Sequence, residues 1–72
     1  MFERSESITM QLSGIHDAVS GKAAAQTLRR IDGVRSVSVD RRRAIATVTF
    51  SSDRTTVAQM TDALADAGFY VI

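Results

Sequence analysis

The sequence predicts an α+β sandwich in which a four-stranded antiparallel sheet carries two helices on one face, in the order βαββαβ. Three observations predict it. Apolar residues recur with period 2 in some stretches and with helical spacing in others, and these stretches alternate along the chain. Glycines at matching places, Gly33 and Gly68, stop the two helical stretches and divide the chain into two strand-helix-strand halves, an internal structural repeat. A charged run, Asp40-Arg41-Arg42-Arg43, joins the halves where two alternating stretches meet, so they read as a hairpin. Two right-handed crossovers joined by a hairpin generate the split βαβ, or ferredoxin-like, sandwich.

Each element follows from local chemistry. Ile8, Met10 and Leu12 alternate with Thr9, Gln11 and Ser13, the signature of a strand with one buried face, and a turn containing Gly14 follows. Ala24, Leu28 and Ile31 recur at helical spacing up to the stop at Gly33. Val37 and Val39 alternate with Ser36 and Ser38. After the charged run, Ala44, Ala46, Val48 and Phe50 alternate with Ile45, Thr47 and Thr49 to give a third strand. Thr56-x-x-Gln59 has the spacing of a capping box opening a second helix, whose apolar stripe is Val57, Met60 and Leu64. Phe69-Tyr70-Val71-Ile72 supplies the last strand.

At 72 residues the chain has room for one domain, expected over 7–72 behind a short frayed lead-in at 1–6. Its thin core forms where Ala24, Leu28, Met60 and Leu64 meet the inward faces of the strands. Phe50, Phe69, Met10 and Met60 fall on inward positions and are expected to fill that core rather than form a ligand site. No cysteine is present, so neither a disulfide nor a thiolate metal site can support the fold. The first residues lack the apolar stretch of a secretory signal, and no segment approaches the roughly 20 apolar residues that span a bilayer, so a soluble, cytoplasmic protein without membrane insertion is expected. The net charge of +1 is unevenly spread: Arg29, Arg30, Arg35, Arg41, Arg42 and Arg43 make the middle basic, whereas Asp53, Asp62 and Asp66 make the second helix and its flanks mildly acidic.

Catalysis lacks a constellation. With one histidine, no cysteine and no Ser-His-Asp set whose spacing can be argued, a non-enzyme is expected. Nucleic-acid binding is also disfavoured, because the open sheet face expected at Thr9, Gln11, Ser36, Ser38, Thr47 and Thr49 offers no aromatic platform and the charge is nearly balanced.

Gly14-Ile15-His16-Asp17-Ala18-Val19-Ser20, Leu28-Arg29-Arg30-Ile31-Asp32-Gly33-Val34, Val37-Ser38-Val39, Ala46-Thr47-Val48-Thr49-Phe50 and Asp66-Ala67-Gly68-Phe69 together resemble the heavy-metal-associated domain family. That family comprises copper chaperones, mercury-binding proteins and N-terminal domains of metal-pumping P-type ATPases. The resemblance runs from about Ile8 to Ile72. It implies a first turn reading Gly-Met-x-Cys-x-x-Cys, whose two thiolates bind a soft ion such as Cu(I). It puts Ile15 on the methionine, His16 on the variable residue, and Asp17 and Ser20 on the two cysteine positions. Carboxylate and hydroxyl do not replace thiolate for a soft monovalent ion, so no tight Cu(I) binding is expected.

Two readings of that turn remain. Asp17 can cap the first helix with His16 simply exposed. Alternatively, His16 and Asp17 can supply a nitrogen and an oxygen ligand, with Ser20 nearby, for weakly bound Zn(II), Ni(II) or Co(II), pooled across a dimer because one chain offers too few ligands. Gly21 marks either a late helix start or a close backbone approach. The hairpin tip, the first turn and the Gly68 turn should share one pole carrying His16, Asp17, Arg41, Arg42, Arg43 and Tyr70, which the resemblance implies is where partners dock. The arginines there serve either as an electrostatic contact for an acidic protein face or as a solvated tip that discourages edge pairing. The leading expectation is a docking or regulatory module without a resident cofactor, monomeric or weakly dimeric. It would be a soluble adaptor or the cytoplasmic domain of a metal-transporting ATPase; a decayed or engineered relative retaining only the fold is a third reading.

Overall fold

The structure, a computed structural model, describes residues 4–72. Its elements are β1 (Ser5–Ser13), α1 (Ala18–Arg29), β2 (Val34–Asp40), β3 (Ile45–Ser51), α2 (Val57–Asp66) and β4 (Tyr70–Val71). The strands lie in the order β2-β3-β1-β4, every neighbouring pair antiparallel, as the ferredoxin-like fold requires. In β1 the expected alternation is realised: Met10 and Leu12 are buried while Thr9 and Gln11 face solvent. The two helices pack over the same sheet face, and Leu28, Met60, Leu64, Leu12 and Val48 are almost wholly sealed from water between the layers. No disulfide cross-links the layers, since the chain has no cysteine, and burial of this core drives them together.

Several boundaries differ from the sequence pattern. Residues 1–3 of the expected lead-in lie outside the described residues, and Ser5 and Glu6 belong to β1, paired with Ser51 and Phe50, because the β3 ladder continues far enough to hold them. Ala44 is a turn residue, not the start of β3: it takes φ 55°, the left-handed step that brings a hairpin loop of this length back into register. A bulge at Arg35 interrupts the β2–β3 ladder between Val34 and Ser36. Val57 is 41% exposed despite its place in the apolar stripe, since it occupies the first turn of α2 and only Met60 and Leu64 are buried in that helix. The last strand is confined to Tyr70–Val71; Phe69 is drawn into the core, and Ile72 N–H adds one further bond to the Gln11 carbonyl.

The repeat places corresponding features at opposite ends of the sandwich. At one end lie the Gly14 turn, the hairpin tip and Gly68; at the other lie Gly33, the close of β3 and the start of α2. We call the first the loop pole. It is held together by Leu12 N–H donating to the Ala44 carbonyl at 2.7 Å and by the approach of Gly14 to Gly68, where a Cβ on Gly14 would stand 3.0 Å from the Gly68 oxygen.

Candidate functional site

The turn between β1 and α1 is closed by two side chains. Asp17 is the N-cap of α1, in extended backbone conformation, and its Oδ1 accepts the Ser20 N–H at 2.8 Å. In return Ser20 Oγ accepts the His16 and Asp17 backbone N–H groups at 2.8 and 3.0 Å. The same hydroxyl has Asp17 Oδ1 at 2.9 Å and the Asp17 carbonyl at 3.1 Å as acceptors for its own proton. The result is a complete capping box in which serine does the work usually given to Glu or Gln. Donation by Ser20, first from its backbone N–H and then from its hydroxyl, holds the Asp17 carboxyl below the ordinary carboxylate range.

The capping reading of Asp17 therefore describes the geometry. What sequence reasoning missed is that Ser20 completes the box; the Asp-x-x-Ser spacing, N-cap to third helical residue, was the available signal. Ile15, which the resemblance puts on the family's methionine, is 7% exposed and belongs to the core. His16 is exposed, with its backbone rather than its ring engaged in the turn. Gly21 is not a late helix start: it is a buried residue three positions into α1, where a Cβ would lie 3.1 Å from Arg41 Cγ. Glycine there lets the stem of Arg41 rest on the helix.

The hairpin tip is built by Asp40, whose Oδ1 accepts the backbone N–H groups of Arg42 and Arg43 at 3.1 and 3.3 Å and whose Oδ2 lies 3.9 Å from Arg43 Nε. Arg41, Arg42 and Arg43 are all exposed, and so is Tyr70, whose carbonyl accepts the Ser13 hydroxyl. Thus the structure brings His16, Asp17, Ser20, the three arginines and Tyr70 to one pole, as the topology predicts. At the other pole Thr56 caps α2 by accepting the Gln59 N–H at 3.2 Å, but the Gln59 side chain does not return to the cap. It accepts the Thr55 hydroxyl at 2.8 Å, so the expected capping box is only half formed.

As chemistry, the turn does not fit a soft cation. Its first-position side chain is a carboxylate occupied by Ser20, its second a hydroxyl occupied by the backbone, and neither is a thiolate. Among the described residues no three of His, Cys, Asp or Glu gather where they could hold a metal ion together. Nor is any helix of the described residues long and apolar enough to cross a membrane.

Comparison with known proteins agrees with this architecture. Two uncharacterized proteins of Haemophilus influenzae (strain Rd) are each 38% identical over 64 residues, a match covering 89% of this chain and 93% of theirs. Oxidized MerP from Ralstonia metallidurans CH34 superposes with a TM-score of 0.91 at 26% identity, covering 96% of both chains. The CopZ metallochaperone superposes with a TM-score of 0.89 at 27% identity, covering 93% of this chain and 100% of that one. The model of the heavy-metal-associated domain matches residues 9–69, nearly the whole sandwich, and the chain belongs to that family, with Asp17 and Ser20 where its resemblance expects cysteines.

Proposed function

We propose that this domain is a non-catalytic docking or regulatory module of a metal-trafficking system, engaging a protein partner through the loop pole instead of carrying a thiolate-bound ion. One observation carries the reading: the Asp17–Ser20 box commits both side chains at the positions the resemblance assigns to cysteines to holding the first turn of α1. The turn is thereby set without any ion. Around it the exposed forks of Arg41, Arg42 and Arg43 suit carboxylates on an acidic partner face, and Tyr70 adds an amphipathic contact. A metal-transporting ATPase, or one of its domains, is the class of partner this reading assigns to the pole. The setting is the cytoplasm, whether as an adaptor or as a transporter's cytoplasmic domain.

Two measurements test it. Offered Cu(I) in the presence of a competing chelator, the protein leaves the ion with the chelator; retention by the protein overturns the reading. Titrated with an acidic heavy-metal-associated domain of an ATPase, it shows amide shifts confined to His16, Arg41, Arg42, Arg43 and Tyr70, and these vanish when the three arginines become glutamates. Shifts that survive that change would place docking elsewhere.

A second reading rests on the exposed His16 ring beside Asp17, whose Oδ2 lies outside the capping box. Zn(II), Ni(II) or Co(II) would gain two ligands from one chain and four from a pair. Divalent binding that His16→Ala abolishes favours it.

A further inference from the structure

A second surface, distinct from the capped turn, has a matching counterpart on the same molecule. Between α1 and β2 runs an open groove of about 450 Å³ whose floor is Gly21, Ala25, Val37 and Val39. Lys22 and Arg41 rim it, and no acidic side chain lines it. Arg29 reaches across one end to donate to the Val37 carbonyl at 3.3 Å, covering part of the edge of β2 and leaving the trough beside it basic.

The complementary surface is the outer face of α2. Met60 and Leu64 fix which side of that helix meets the core. At 100° per residue the opposite side carries Ala58, Asp62, Ala65 and Asp66, two small apolar residues and two exposed carboxylates with no cation among them. Small residues allow a helix to lie close to a shallow floor, and its two carboxylates are opposite in charge to the ammonium and guanidinium groups at the groove's rim. In the sandwich α1 packs against β2 and α2 against β4, at the two outer strands of the sheet, so the groove and the acidic face lie on opposite flanks.

We propose that the α1–β2 groove is an interaction surface for the acidic face of α2 on a second copy of this chain. The groove shares Arg41 with the loop pole, but this inference does not rest on the docking role given to that pole. Because the two surfaces lie on opposite flanks, one contact leaves a free groove and a free α2 face at the ends of the pair, and the association is head-to-tail and open. It is weak, since the charged groups are exposed, and it fades as salt screens them.

Sedimentation velocity of the intact chain, from micromolar to millimolar concentration at low ionic strength, tests it. The expected result is a weight-average mass that rises continuously past that of a dimer and returns to the monomer value in high salt. Lys22→Glu and Asp62→Lys each weaken the association by about tenfold or more. Mixed together, the two variants regain association past the dimer, because the intact groove of the Asp62→Lys chain accepts the intact α2 face of the Lys22→Glu chain and the two altered surfaces carry opposite charges. Circular dichroism of each variant confirms folding. A monomer throughout, a mass that saturates at the dimer, or association indifferent to both reversals overturns the proposal.

Discussion

The two poles of the sandwich are built from equivalent pieces of the repeat yet differ in how tightly those pieces are held. At the far pole a Cβ on Gly33 would stand 2.7 Å from Arg54 Cβ, and Ser51 and Thr55 are buried although both carry hydroxyls. At the loop pole Gly68 has nothing within 4 Å of the same position, and the side chains of His16, Arg41, Arg42, Arg43 and Tyr70 stand in solvent. One end closes the core and the other presents groups. Changes at the loop pole should therefore alter what the domain binds, whereas changes at the far pole should alter whether it folds.

The largest expected effect uses the loop pole's freedom. Asp17→Cys combined with Ser20→Cys should let the chain retain an equivalent of Cu(I) against a competing chelator, because the turn geometry belongs to the fold and two thiolates supply soft donors the parent lacks. Chelator competition reads the gain directly. The double variant forfeits the capping box, so it should also unfold at lower urea concentration than the parent. A folded double variant with no Cu(I) affinity would show that residues 17 and 20 are not the counterparts of the family's cysteines.

Next come the two helix stops. Gly33 and Gly68 both take positive φ, 100° and 93°, and alanine at either costs about 1–2 kcal/mol for the left-handed conformation alone. At Gly33 the overlap with Arg54 adds to that, and the total should exceed about 2 kcal/mol in a domain whose whole stability is of the order of 4–11 kcal/mol. Urea titration should thus rank Gly33→Ala well below Gly68→Ala. Equal losses would mean that the poles are equally compliant.

The same contrast decides what sequence made legible. The alternation in Ile8 to Leu12 and in Ala46 to Phe50, together with the glycine stops, carried the whole topology, because one-sided burial and positive φ leave marks on residue type. The polarity of the loop pole was legible for the same reason: the arginine run has no place in a core. What escaped were features set by tertiary neighbours. Nothing about Gln59 announces that Thr55 will capture its side chain, nothing about Ala44 distinguishes a left-handed turn residue from a strand residue, and the Gly21–Arg41 approach joins residues on different elements. Ser20 differs from these: its spacing from Asp17, N-cap to third helical residue, is local and legible in the sequence as half of a capping box.

Smaller effects separate two buried hydroxyls at the far pole. Thr55 donates to Gln59, whereas Ser51 Oγ is fully buried with no hydrogen-bond partner among the described residues. Removing a satisfied hydroxyl forfeits its bond, and removing an unsatisfied one relieves a desolvation cost. Thr55→Val should lose about 1 kcal/mol, while Ser51→Ala should gain about 1 kcal/mol or more in urea titration, within the desolvation cost of about 1–3 kcal/mol. Destabilisation of both by the same amount would show that Ser51 is satisfied in solution.

The smallest effect belongs to the Asp17 cap and appears only in acid. Ser20 lowers the folded-state pKa of Asp17 beneath the value of about 3.9 expected in the unfolded chain. The native state then binds fewer protons than the unfolded state as pH falls through that interval, so stability declines with acid. The contribution is fully present above the unfolded pKa, is lost as pH falls through the folded one, and changes no further below it. An asparagine side chain keeps the capping geometry but cannot titrate, so Asp17→Asn removes this dependence while other acids titrate alike in both proteins. Subtracting the two stability profiles between neutral pH and strong acid isolates the cap. The difference should be flat down to about pH 5 and slope below it, to the parent's disadvantage as acid is added. Parallel profiles would mean that the Asp17–Ser20 bond is not formed in solution, and with it would go the reason for reading the loop pole as closed without an ion.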